Sequence, residues 1–123
     1  MKKLRTMLNS KIHRARVTGL SLDYEGSITI PGDLIEVAGI LPNEQVEVLN
    51  LNNTARFNTY VIEGVPGTGQ ICLNGPAARL GKKGDIIIIL SYCQLEESEL
   101  PYHTPIILCL DSKNRVTKIE KAT

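Results

Sequence analysis

The chain has no Trp, one Phe and four Tyr among its 123 residues. With so little aromatic bulk, any core must be aliphatic, built from Ile, Leu and Val. Common catalytic signatures are missing too: no Walker loop, no G-x-S-x-G, no H-E-x-x-H and no clustered carboxylate pair. The single G-x-G, Gly67-Thr68-Gly69, has no third Gly and no following helix, so it reads as a hairpin turn. Cysteine is scarce and odd in number: Cys72, Cys93 and Cys109, with no C-x-x-C spacing and apolar neighbours. They read as reduced core thiols of a cytoplasmic protein, not as a disulfide frame or a zinc site. The two His, His13 and His103, lie too far apart in sequence to suggest a metal. No apolar h-region follows the basic N-terminal residues, so no signal peptide is expected. The longest apolar run, Ile86 to Leu90, is far short of the roughly 20 residues that cross a bilayer, so no membrane partner is expected either.

What is present suits one globular domain, residues 1–123. Hydrophobic residues make up 42% and charged residues 22% of the chain. The net charge of +1 hides an uneven spread. Lys2, Lys3, Arg5, Lys11, Arg14 and Arg16 stand in the first 22 residues without a single acid. Such a segment serves a nucleic acid, an anionic substrate or an acidic neighbour, or it is an exposed strand whose charge discourages edge pairing.

Periodicity gives mostly strands. "KIHRARVTGL" alternates imperfectly, with Ile12, Arg14, Arg16 and Thr18 on one parity and His13, Ala15 and Val17 on the other. "SITI" is a short strand closed by Pro31-Gly32. Asp33 then reads as a helix N-cap with Glu36 as its capping-box partner, and Gly39 ends that helix. Leu41 to Glu44 is a turn. "QVEVLNL" and "ARFNTYVIEG" form a hairpin across Asn52-Asn53. "QICLN" leads into "NGPAARLG", where Pro76 suits the first position of a helical turn. "GDIIIIL" lacks a wet face and should be buried on both sides. "QLEESELPYH" is a loop or short acidic helix, and "TPIILCLD" and "RVTKIE" are the last strands. The expectation is a mainly β protein: a small closed barrel of six to eight strands with two or three short helices.

Two resemblances bear on function. "ITIPGDLIEVAGILPNEQVEVLN" is similar to the strand-helix-strand unit of swapped-hairpin transcription regulators, which implies a non-catalytic DNA-binding β-protein. That unit covers only residues 28–50 and carries Asp33, Glu36, Glu44 and Glu47, a poor set for phosphate. The second resemblance is broader. "KIHRARVT", "DYEGSITI", "ARFNTYVI" and "CLNGPAARL…GDIIII" stand in the order and spacing of the pyruvoyl-dependent aspartate decarboxylases, from about Met7 to Tyr92. That family implies a double-psi β-barrel, a homotetramer, and conversion of L-aspartate to β-alanine for pantothenate and coenzyme A.

The resemblance also assigns residues. Decarboxylation leaves a carbanion that no side chain can delocalise, so a carbonyl must be supplied. The family makes it from its own chain: Ser27 attacks the carbonyl of Gly26, the resulting ester eliminates, and a pyruvoyl group remains on the new N-terminus. The chain is thereby split into residues 1–26 and 27–123, a maturation factor being a possible partner. The pyruvoyl forms the Schiff base with substrate, so no metal and no pyridoxal phosphate are implied. Gly26 is expected to hold a strained backbone geometry. Tyr60 is the implied proton donor, since a phenol keeps its proton at neutral pH. Thr59, Arg56, Lys11, Gly75, Pro76 and Ala77 are the implied substrate contacts, with Arg56 as a planar carboxylate clamp. Asn74, Tyr24 and His13 support them. Pro76 departs from the more frequent Ala of this turn and removes one N–H.

Overall fold

The computed structural model describes residues 2–121. β1 (Leu4–Arg16) and β2 (Gly19–Ser21) are followed by β3 (Ser27–Pro31), α1 (Gly32–Ala38), β4 (Gln45–Asn50) and β5 (Arg56–Gly64). β6 (Cys72–Asn74) runs into a 3-10 helix, Gly75–Leu80. β7 (Ile86–Glu96), a second 3-10 helix (Glu97–Tyr102), β8 (Ile106–Leu110) and β9 (Val116–Lys121) complete the described residues.

All nine strands form one sheet in the order β2-β6-β3-β5-β4-β7-β1-β8-β9. β1 and β2 are consecutive pieces of one chain stretch, separated by Val17 and Thr18. The pairing path therefore leaves that stretch at β2 and returns to it at β1, with β8 and β9 appended beyond. This is a small barrel-type fold, as the alternation implied. The split of "KIHRARVTGL" into β1 and β2 raises the strand count to nine. Its imperfect alternation has a local cause: the β1–β7 register slips between Ile12 and Ala15, and Arg14 sits at φ 63. The bulge turns Ala15 and Val17 inward with Ile12.

The core is aliphatic. Ile12, Ile28, Ile30, Ile71, Leu73, Ile87, Ile89 and Leu108 are fully buried, joined by Val17, Val46, Val48 and Val61. β7 is buried at Ile87, Ile88 and Ile89 in succession, so both of its faces are covered there. The three Cys are free but only half-buried, outside the core proper.

α1 corrects the capping expectation. Its N-cap is Pro31, with no side-chain cap bond. β3 passes into the helix without a loop, which places Asp33 inside the first turn. Its carboxylate instead accepts the Gly67 N–H at 3.0 Å and ties down the 65–70 turn. Gly39 ends the helix at φ 71, as a left-handed C-cap should.

Candidate active site

β3 begins at Ser27, and β3 lies between β5 and β6. That placement gathers three separate stretches of sequence. Ser27 is opposite Asn74 in the antiparallel β3–β6 register. β5 runs parallel on the other side and brings up Thr59 and Tyr60. The 3-10 helix that follows Asn74 closes the end. A cavity of about 320 Å³ results, lined by Gly26, Phe57, Asn58, Thr59, Tyr60, Pro76, Ala77 and Leu80.

Ser27 is completely buried. Its Oγ accepts the Asn74 Nδ2–H at 3.0 Å and donates to the Glu25 carbonyl at 3.3 Å. Asn74, itself buried, spends its second amide hydrogen on Thr29 Oγ1 at 2.9 Å. The carboxamide is thus fixed from two sides and holds the hydroxyl in turn. A buried Ser needs only one partner to be satisfied; two partners define one orientation.

The strain expected at Gly26 is not there. Gly26 has no positive φ, and a Cβ added to it would meet only Pro76 Cδ at an ordinary 3.5 Å. The constraint sits across the contact, on Gly75, at φ 63. A Cβ there would collide with the Tyr24 carbonyl oxygen and approach Glu25 C and Gly26 N to 2.9 Å. So Gly75 is pressed against the backbone that leads to the Gly26–Ser27 bond. Gly75→Ala is expected to cost about 1–3 kcal/mol of stability and to slow any cleavage at residue 26, because the loop 24–26 must move. Thermal melting and a time course on a denaturing gel check both.

The other assigned residues are placed differently. Arg56 stands at the start of β5, its side chain 66% exposed, with Nη1 3.8 Å from Glu47 Oε2. Tyr24 is exposed, and it is its backbone that touches the site. Lys11 and His13 lie on β1, paired with β7 and β8, strands that contribute nothing to the pocket wall. His13 is lowered in pKa, first by burial and then by Lys11 and Arg14, and its Nδ1 is buried without a partner. Thr29, Phe57, Asn58 and Leu80 were missed by motif reading. Thr29 was accessible from strand parity, being two residues from Ser27 on the same face of β3.

The family model for aspartate decarboxylase matches residues 3–117. The chain belongs to the aspartate decarboxylase family. It is 55% identical over 114 residues to an aspartate 1-decarboxylase of Dehalococcoides mccartyi, spanning 93% of this chain and 92% of the relative. One from Neisseria meningitidis is 54% identical, covering 94% of this chain and 91% of its own. One from Staphylococcus aureus is 52% identical with the same coverage. Membership makes the chain a carboxy-lyase. It also explains why three segments with no common local motif converge on one small pocket. Among the described residues, no three His, Cys, Asp or Glu side chains are grouped as a metal site would need, and no helix is long and apolar enough to cross a membrane.

Proposed function

We propose that the chain is a self-processing aspartate 1-decarboxylase whose carbonyl cofactor is made from Ser27. The observation that carries this reading is the fixed, fully buried Ser27 hydroxyl beside the Gly26 pocket. The surroundings fit a group built from the chain: they offer an amide donor and a small cavity, and they belong to strands held on both sides.

Ser27 Oγ attacks the Gly26 carbonyl carbon, the C–N bond breaks, and the hydroxyl proton passes to the departing nitrogen. This gives an ester with residue 26 and a free amine on residue 27. Loss of the Ser27 Cα proton then breaks the Cβ–O bond and releases Gly26 as a carboxylate. Addition of water and loss of ammonia leave a pyruvoyl group on residue 27. Asn74 Nδ2 and the Glu25 carbonyl together fix the orientation of the Ser27 hydroxyl before attack. Once formed, the group supplies an electron sink for the charge left when the substrate's α-carboxylate departs. Thr59 and Ala77 wall the pocket against bulk water. Tyr60 faces the same cavity and returns the proton to the α-carbon. Arg56 holds a substrate carboxylate, and Lys11, which does not line the pocket, draws in the anionic substrate by its charge. The product is β-alanine, the precursor for pantothenate, and the working form is a homotetramer in the cytoplasm that could take a maturation factor.

Intact mass under denaturing conditions tests the reading. Two chains, 1–26 and 27–123, are expected, the longer one lighter by one ammonia than a Ser-started chain and shifted by phenylhydrazine. Activity should vanish with that reagent and survive a chelator. An active sample showing a single unmodified chain would refute the proposal.

A further inference from the structure

On the outer face of the sheet Arg56 has two neighbours, Glu47 and Tyr92, that none of the steps above uses. Glu47 on β4 stands between Arg56 on β5 and Tyr92 on β7. The β4–β5 register pairs Leu49 with Arg56 and Glu47 with Asn58, so Glu47 and Arg56 are diagonal neighbours on one face. Glu47 Oε1 accepts the Tyr92 hydroxyl at 3.0 Å, which leaves Oε2 facing Arg56 Nη1 at 3.8 Å. The two sides of this ion pair differ in freedom. The Glu47 side chain is 18% exposed and anchored by Tyr92; that of Arg56 is 66% exposed. At this distance the pair is loose and engages one terminal nitrogen, well outside the range of a charge-assisted hydrogen bond.

The pair also borders the site. Asn58 lines the Gly26 pocket and an adjoining groove of about 290 Å³ that contains Glu47 and Tyr92. Arg56 itself does not line the pocket.

We propose that Glu47, fixed by Tyr92, is a resident carboxylate that holds Arg56 off the pocket and is displaced by the substrate's carboxylate. The inference rests on the reading of Arg56 as the substrate clamp. A substrate carboxylate offers Arg56 two parallel hydrogen bonds, where Glu47 offers a loose contact to one nitrogen. On release, Glu47 keeps the Tyr92 hydroxyl and is not left bare. Glu47 is thus a positioning residue that sets apparent affinity without touching the reacting atoms. An exposed ion pair of this kind amounts to about a two- to fivefold factor in an equilibrium constant.

Steady-state kinetics on the purified enzyme, comparing Glu47→Gln, Arg56→Ala and the double variant, test this. Glu47→Gln should lower KM for aspartate about two- to fivefold, with kcat and the extent of chain cleavage unchanged. In the Arg56→Ala background the same substitution should have no effect on KM, because the pair is already gone. A KM that stays level or rises in Glu47→Gln, while Arg56→Ala alone impairs aspartate use, overturns the proposal and leaves the clamp standing. An equal fall in KM with and without Arg56 also overturns it. A normal KM in Arg56→Ala removes the clamp, and this inference with it.

Discussion

Ser27→Ala is expected to fold, to remain one uncleaved chain and to release no β-alanine, even after long incubation. The structure separates the cost in stability from the cost in chemistry. Ser27 is fully buried on β3 and holds its place through backbone pairing to β5 and β6, which Ala retains. What is lost are two Oγ hydrogen bonds, the one accepted from Asn74 Nδ2 and the one donated to the Glu25 carbonyl. Asn74 still donates to Thr29 Oγ1, so the change should destabilise the fold by about 1 kcal/mol. The chemical loss is total, because no other hydroxyl is placed on the residue that follows Gly26. Without Oγ there is no ester, no elimination and no ketone. A denaturing gel, an intact mass and an assay for β-alanine check the three parts. Fragments ending at residue 26, together with β-alanine, would show that the Gly26–Ser27 pair is a plain turn.

The strands were legible because their signals are local. Alternation in "QVEVLNL" puts Val46, Val48 and Asn50 on one parity, and all three are buried. The run Ile86–Leu90 announced a strand covered on both sides. Convergence of the site was not legible from periodicity, since it depends on β3 lying between β5 and β6, a pairing between residues 33 to 47 positions apart. The four family segments supplied that juxtaposition in place of physics. The misplaced details are instructive for the same reason. Asp33 has the residue type and spacing of an N-cap, but the strand runs straight into the helix and the cap position falls on Pro31. A glycine's backbone freedom points to strain at Gly26. The packing puts it on Gly75, whose left-handed backbone abuts residues 24–26. Glu47 could not be singled out as a partner of Arg56 until the hairpin register was known, because a shift of one residue would send it to the opposite face.

Tyr60→Phe should divide the two stages of the protein's chemistry. The ring of Phe fills the same half-buried place on β5 and leaves the backbone pairing to Gln45 untouched, so folding is preserved. Cleavage should proceed at the parent rate, because the hydrogen bonds that fix Ser27 Oγ come from Asn74 and Glu25, and the phenol is not among them. The deficit should appear only with substrate. Tyr60 lines the pocket with Gly26 and Thr59, and in the proposed sequence its hydroxyl gives the α-carbon its proton. Removing a positioned acid lowers kcat by about 10²–10⁴-fold. KM should change little, since the proposed reading gives carboxylate binding to Arg56 and not to the phenol. The measurement pairs a gel, for the extent of cleavage, with kcat for β-alanine release. Full cleavage with near-normal kcat would give the proton-donor role to another group or to water. Failure to cleave would move the phenol into the maturation step, where the structure shows it no partner. Full cleavage with a deep loss of kcat is the expected pattern, and it requires a ketone that forms without Tyr60 and turns over only with it.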